Sequence, residues 1–304
     1  MEQQMSIEQV NRALQRKRNW EKAKKILANV FVYFVLLLMY APLAYIVVFS
    51  FTSSTTTGVW GNNGFTLSNY LTLFNSSYDD SLKIWSAAGN TVLVALTSAA
   101  ISTVLGTLGA IGIFYLRKKW MKNGMDFVTQ IPVVNAEIVT ALSLCVLFVI
   151  CAKTFGIQRS FLTLVIGHVV LSIPYVVMSV QPKLEQMDPA LYEAAMDLGA
   201  TQTQSLWKVI IPDIIPGILS GFLLSVTLSL DDYVITAFTK PTTGGFETIS
   251  TYVDSATKKA GLPVQLRAFT AILFAVILIV MIAMNIKSAQ NAKKLVKKEK
   301  SKND

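Results

Sequence analysis

Residues 188–212 read DPALYEAAMDLGATQTQSLWKVIIP, a polar, helix-favouring segment between two strongly apolar ones. Asp188 can cap a helix whose first position is the proline that follows it. Gly199 can end that helix in a left-handed turn. Thr201 can cap a second helix, which we expect to end at Pro212. The segment therefore predicts two short helices joined by a tight turn.

The composition around this segment is that of a membrane protein. Of 304 residues, 53% are hydrophobic and 15% charged, whereas soluble domains carry about 25% charged residues. Long apolar runs alternate with short charged ones, which is typical of a chain that crosses a bilayer several times. We predict six transmembrane helices, at roughly 26–51, 90–116, 127–152, 161–181, 214–238 and 268–286.

The net charge of +9 raises the possibility of nucleic-acid binding, but the positions of the basic residues speak against it. Most Lys and Arg residues precede the first span, separate the second from the third, or follow the last. By the positive-inside rule both termini and the 188–212 segment are cytoplasmic. We therefore expect a basic extension over 1–25, a transmembrane domain over 26–286 and a basic tail over 287–304. The tail anchors the topology or contacts anionic lipid.

The sequence gives little reason to expect catalytic or metal chemistry. Cys145 and Cys151 lie six residues apart in one apolar helix, which is out of reach for a disulfide and does not make a zinc site, so both are interpreted as reduced packing residues. His168 is the single histidine, and its location in a span favours a hydrogen bond between helices. The glycine-rich stretch GTLGAIG lacks the Lys-Ser/Thr ending of a Walker A motif. No cofactor is expected, and any ATP hydrolysis would belong to a separate protein.

A spacing of E-A-A-x3-G-x9-V-x-I-P runs through the 188–212 segment. It resembles the EAA loop of binding-protein-dependent ABC importer permeases, E-A-A-x3-G-x9-I-x-L-P. The resemblance implies an all-α fold of the MetI-like type, with six transmembrane helices and a cytoplasmic helix–turn–helix that seats in a groove of an ATPase. The matching positions are Glu193, Ala194, Ala195, Gly199, Val209, Ile211 and Pro212.

The similarity extends over 26–289 to spermidine/putrescine permeases of the PotC type. PVVNAEIVTALSLCVLF (132–148), HVVLSIPYVV (168–177) and LSLDDYVITAF (228–238) carry it. It implies polyamine import across a bacterial inner membrane. The implied partners are a PotA-like ATPase pair, a PotB-like second permease as heterodimer and a PotD-like extracytoplasmic binding protein. Glu137 stands where Asp is common, which leaves another small solute as an alternative.

Acidic residues inside apolar segments supply the candidate substrate pathway: Glu137, Asp231 and Asp232, with Tyr233 beside the pair. An ionised carboxylate in a bilayer is costly unless paired or hydrated, so such residues are functional candidates. A polyamine pathway needs spaced carboxylates and aromatic rings.

These acids also have structural interpretations. Neighbouring helical residues point about 100° apart, so Asp231 and Asp232 cannot both face one path equally. Both could instead cap a helix at the outer interface, and Glu137 could bond between helices. A self-sufficient secondary transporter or channel is the competing class of function, but the inverted repeats common in such folds are not evident.

Overall fold

The computed structural model describes residues 7–279, except 55–58, 61–63, 76, 117, 157, 243 and 260–262, together with 282 and 286. The described residues are helical apart from loops and an isolated antiparallel bridge between Thr52 and Phe65, which confirms the all-α prediction. The predicted tail over 287–304 lies outside the described residues. The helices are α1 Ile7–Phe49, α2 Ser68–Leu73, α3 Asp79–Phe114, α4 Lys119–Val134, α5 Glu137–Phe155, α6 Phe161–Gln186, α7 Pro189–Asp197, α8 Gln202–Ser205, α9 Ile211–Asp231, α10 Val234–Thr239, α11 Ile249–Lys259 and α12 Val264–Ile279.

Five described helical segments are long and apolar enough to cross a bilayer: Gln15–Phe49, Asp79–Phe114, Glu137–Phe155, Phe161–Gln186 and Gln202–Asp231. A shorter apolar helix, α12, overlaps the sixth predicted span, whose end falls partly outside the described residues. The chain is therefore a multi-span helical protein, as the hydropathy pattern predicts.

The third predicted span, 127–152, is interrupted in the structure. Helix α4 ends at Val134 and α5 begins at Glu137, with Asn135 and Ala136 in extended conformations between them (ψ 144° and 129°). Pro132 lies in the last turn of α4, where it cannot donate a backbone hydrogen bond. The expectation of one apolar helix over 127–152 was wrong because apolar composition alone does not fix where backbone bonding is broken.

The described residues divide into two compact units, one within 1–78 and 262–304 and the other within 79–261. In the first unit, the Asn69 side chain donates to the carbonyl oxygens of Ser50 and Thr52, both at 2.7 Å. Arg267 Nη1 donates to the carbonyl oxygen of Ser54 at 3.0 Å. These bonds satisfy backbone acceptors of the segment that follows α1.

The second unit is built on the packing of α3, α6 and α9 against one another. One core cluster of this unit includes Ala110, Val176, Val180 and Ile214, each fully buried. Gly106 of α3 lies so close to Val176 that a β-carbon there would stand 2.7 Å from the valine side chain. The small residue thus permits α3 and α6 to approach as closely as helices in membrane proteins commonly do.

Candidate functional site

The 188–212 segment folds as two helices around a left-handed glycine. Asp188 Oδ1 accepts from the backbone N–H of Ala190 at 2.9 Å and caps α7. Gly199 has φ +83°, a conformation that a β-carbon would strain. Thr201 and Gln204 form a reciprocal capping box at the start of α8. The predicted caps and turn are confirmed.

The second helix of this segment does not end at Pro212, contrary to prediction. Leu206–Ile210 adopts π-helical geometry, and the N–H of Ile211 donates to the Leu206 carbonyl. Pro212 then occupies the first turn of α9, where its missing N–H is tolerated. The result is one helix over Gln202–Asp231, about 45 Å long at 1.5 Å per residue.

The outer surface of the segment combines small, charged and apolar side chains. Glu193 and Ala194 are exposed, and Ala195 is half-buried. Leu198 and Trp207 are 89% and 64% exposed, although sequence reasoning did not single them out. Exposed apolar residues beside small ones form a surface that another protein can cover closely.

On the inner side, Tyr192 of α7 lies against Tyr115, which follows the end of α3. Their ring centroids are 5.8 Å apart with the planes tilted by 50°. This aromatic contact connects the segment to α3, in addition to the helical continuity with α9.

The far end of that continuous helix is a second helix break. After Asp231, residues Asp232 and Tyr233 leave α9, and α10 begins at Val234. The predicted fifth span, 214–238, is therefore divided at Asp232 and Tyr233, just as the predicted third span is divided at Asn135 and Ala136. Within a membrane, non-helical backbone is tolerated where it is buried in protein or lines a cavity.

The two breaks open onto one cavity of about 340 Å³. It brings together the predicted pathway residues Glu137, Asp231, Asp232 and Tyr233. Helix α6 contributes Tyr175, which the sequence reasoning did not identify. The remaining lining residues are Pro132, Val133, Asn135, Leu171, Leu228 and Val234.

The neighbouring acids differ in environment. Asp231 is exposed, as is Glu137. Asp232 is only 5% exposed, and its carboxylate accepts from the N–H groups of Ile235 (3.1 Å) and Thr236 (2.8 Å). The Thr236 hydroxyl donates to it as well, at 2.9 Å. Asp232 therefore caps α10 and interacts with the Glu137 side chain across the cavity, whereas Asp231 is exposed to a solute.

The cavity has the chemistry of a cation site. Asp231 supplies an exposed carboxylate and Glu137 a second exposed carboxyl group, and the carbonyl end of α9 adds negative potential. Tyr175 and Tyr233 supply aromatic rings, which attract organic ammonium groups. The described residues thus combine spaced carboxylates with aromatic surface, as a flexible polycation requires.

Helix α11 is attached to the second break from outside the spans. Ser250 Oγ donates to the backbone carbonyl of Asp232 at 2.8 Å. Further along α11, Lys258 Nζ donates to Asp254 Oδ2 at 2.8 Å, and this hydrogen bond lowers the pKa of the Asp254 carboxyl. The break is therefore held by the Ser250 side chain of α11 as well as by its own cap.

Comparison with known proteins agrees with this architecture. The putrescine transport system permease protein PotI of Escherichia coli K12 is 36% identical over 202 residues, 66% of this chain and 69% of its own length. The spermidine/putrescine transport system permease protein PotC of the same strain is 34% identical over 247 residues, 81% and 87% respectively. The resemblance to PotC-type permeases is confirmed.

Solved structures share the fold. A bacterial ABC transporter involved in the import of the acidic polysaccharide alginate has a chain that matches with a TM-score of 0.59 at 17% identity, covering 90% of this chain and 96% of that one. A chain of the MetNI methionine ABC transporter in an inward-facing conformation matches with a TM-score of 0.54 at 14% identity, covering 68% and 95%. The sequence profile described as "Binding-protein-dependent transport system inner membrane component" matches residues 102–294. The chain therefore belongs to the family of binding-protein-dependent transport system inner membrane components.

Proposed function

We propose that this permease forms half of the membrane pathway of an ATP-driven importer for polyamines such as putrescine and spermidine. The cavity between the two helix breaks carries the proposal. It offers the exposed carboxylates of Glu137 and Asp231 and the rings of Tyr175 and Tyr233 to one solute. A polyamine carries several ammonium groups on a flexible chain and can use both kinds of contact.

The proposed role of Asp232 differs from that of its neighbour. Its carboxylate is occupied by hydrogen bonds to the start of α10, so it shapes the pathway and adds to its negative field. Asp231 provides the direct contact. Tyr233, at the break itself, contributes an aromatic wall.

Coupling to ATP is proposed to pass through the 188–212 segment. Glu193, Ala194 and Ala195 meet a cytoplasmic ATPase, with Gly199 fixing the turn and Pro212 marking the entry into α9. Because one continuous helix runs over Gln202–Asp231, a movement of the segment would be transmitted to Asp231 at the cavity. This extends the ATPase-coupling role implied by the EAA resemblance to the substrate carboxylate at the helix end.

The proposed assembly follows from the premise that each 188–212 segment binds one ATPase. A pair of PotA-like ATPases requires a second permease, for which a PotB-like chain as heterodimer is proposed. A PotD-like extracytoplasmic protein delivers the solute. We further propose that both termini lie in the cytoplasm of a bacterial cell, with the transmembrane domain over 26–286, the basic extension over 1–25 and the tail over 287–304. The tail also contacts membrane lipid.

Reconstitution tests the proposal. The chain is co-purified with its partner permease, ATPases and binding protein, placed in liposomes, and assayed for uptake of labelled putrescine and spermidine with and without ATP. We expect ATP-dependent uptake that requires the binding protein. Uptake of an unrelated solute alone would refute the polyamine assignment, and ATP-independent uptake by this chain alone would favour a secondary transporter or channel.

A separate experiment tests coupling. Ala195→Trp adds bulk to the surface proposed to meet the ATPase and should reduce both ATPase co-purification and stimulated ATP hydrolysis. Ala195→Ser is the matched control, since it keeps the side chain small. Full ATPase recovery with the Trp variant would contradict this docking geometry. Glu193→Ala should weaken docking in the same direction, by less.

A further inference from the structure

His168 is a buried titratable group to which the proposed pathway gives no role. Only 1% of it is exposed, and it lies on α6 between the end of α9 and α10. Its Nδ1 is 2.8 Å from Ser229 Oγ, and its Nε2 is 3.0 Å from Thr236 Oγ1. Ser229 in turn receives a hydrogen bond from Ser98 of α3 at 3.2 Å. One buried chain of polar groups therefore connects α3, α6, α9 and α10.

The direction of the hydrogen bonds can be assigned by following each proton from Asp232. The Thr236 hydroxyl has a single proton, which it donates to Asp232 Oδ2 at 2.9 Å. Thr236 Oγ1 must then accept from His168, so Nε2 carries a proton. His168 Nε2 itself stands 3.6 Å from Asp232 Oδ2, too far for a direct hydrogen bond. The imidazole acts on the carboxylate through Thr236.

The other ring nitrogen completes the assignment. An imidazole that is only 1% exposed favours its uncharged form, so Nδ1 has no proton and accepts the single hydroxyl proton of Ser229. Ser98 can then donate to Ser229, in competition with its own helical carbonyl at Val94, 2.7 Å away. The bonds from Ser229 through His168 and Thr236 to the carboxylate thus point the same way, and hydrogen bonds aligned in this manner strengthen one another in a low-dielectric interior.

We propose that His168, as the neutral Nε2–H tautomer, is a positioning residue for the substrate pathway. His168 orients the Thr236 hydroxyl. That hydroxyl and the α10 amides then fix the Asp232 carboxylate, so that the break holds Asp231 exposed at the cavity. Its influence on transport rests on the proposed function, whereas its tautomer does not depend on any substrate.

The tautomer is measured by solid-state NMR of the intact assembly in lipid, with [15N]histidine incorporated. Because the chain contains one histidine, its signals are those lost in the His168→Gln assembly. We expect one protonated and one unprotonated ring nitrogen, with the proton on Nε2. A doubly protonated ring, or a proton on Nδ1 alone, would overturn the proposal even if the assembly imports no polyamine.

Uptake kinetics test the positioning role. His168→Leu removes the donor to Thr236 and should raise the KM for putrescine about tenfold or more, with a smaller effect on kcat, because a hydrogen bond that supports a charged group is lost. His168→Gln can still donate from the ε position and should recover most of the loss. Equal KM values for the Leu, Gln and unmodified assemblies would refute the role.

Ser229→Ala provides a milder variant should His168→Leu fail to assemble. It removes one hydroxyl and leaves His168 and Thr236 in place. The KM should rise a few-fold, with a changed Nδ1 resonance in the NMR spectrum. An unchanged KM and an unchanged resonance would show that the ring nitrogen does not depend on Ser229, which contradicts the chain of bonds. If the unmodified assembly does not carry putrescine, the resonance alone decides the tautomer, and the proposed function fails separately.

Discussion

The two helix breaks around the cavity are held in different ways. At the break between α9 and α10, Asp232 caps the following helix through three hydrogen bonds, and side chains from α6 and α11 complete the support. At the break between α4 and α5, the capping position is Ala136, which has no side-chain hydrogen bond. The side chain of Asn135 makes one exposed contact, to Thr140 at 3.4 Å.

This difference indicates which side of the cavity is fixed and which is free to move. A break buried in a hydrogen-bonded network costs free energy to rearrange, because each displaced group must find a new partner. A break among exposed residues rearranges at a lower cost in free energy, because water can replace the hydrogen bonds it gives up. We infer that the α9–α10 break serves as the fixed wall that presents Asp231, while the α4–α5 break carrying Glu137 changes position as the permease opens and closes.

Asp232→Ala should have the largest effect, because it removes the cap and leaves buried donors without an acceptor. We expect the free energy of unfolding to fall by about 3 kcal/mol, measured as a lower thermal midpoint of the purified assembly. Asp231→Ala is the matched control, since that side chain is exposed and should leave the midpoint nearly unchanged. Equal midpoints for the two variants would remove the distinction between the neighbouring acids.

Gly167→Ala should disturb the fixed break from the α6 side. A β-carbon at Gly167 would stand 2.8 Å from Ile235 Cγ2 and 3.1 Å from Thr239 Oγ1, so α10 would have to move. We expect a loss of about 2 kcal/mol, again as a lower thermal midpoint. Gly112→Ala has nothing within 4 Å of the added carbon and should be neutral or stabilising. Identical responses would show that α10 is loosely held.

Asp231→Asn should affect transport more than stability. Loss of the exposed carboxylate removes attraction for an ammonium group, and we expect the KM for putrescine uptake to rise about tenfold, equivalent to about 1.4 kcal/mol. Glu137→Gln should act in the same direction, since both acids line the cavity. Normal uptake kinetics in the double variant, with normal expression, would assign both acids to the protein surface instead of the pathway.

Asn135→Ala should have the smallest effect on stability. Its single contact is long and exposed, so we expect less than about 0.5 kcal/mol and a thermal midpoint close to that of the unmodified assembly. If the midpoint instead falls as far as with Asp232→Ala, the two breaks are equally fixed and the inferred division between fixed and moving walls is wrong.

The features that sequence reasoning predicted correctly depend on residues close together along the chain. Asp188 caps a backbone group two residues away, and Thr201 exchanges bonds with Gln204 three residues away. Gly199 takes the left-handed conformation that few other residues adopt readily. Such interactions are encoded in the segment itself, as is the apolar length that predicts spans.

The features that it missed depend on the three-dimensional packing. Proline commonly marks the end of a helix, but the helix here continues past Pro212 because the preceding turn is π-helical. The interruption at Asn135 and Ala136 was not predicted either, because an apolar stretch can be bonded as one helix or as two. Tyr175 joins the cavity from α6, a helix whose pattern gives no sign of which residues face a solute.

The amino-acid sequence by itself determined the all-helical membrane class, the cap and turn of the 188–212 segment, and the presence of acids in apolar surroundings. Only the tertiary structure decided which of Asp231 and Asp232 is exposed and which is buried by its hydrogen bonds. Both are the same residue type in adjacent positions, so no local rule separates them. The separation comes from partners distant in sequence: Asp232 caps α10 beside His168 and Ser229, and those residues meet only when α6, α9 and α10 pack together.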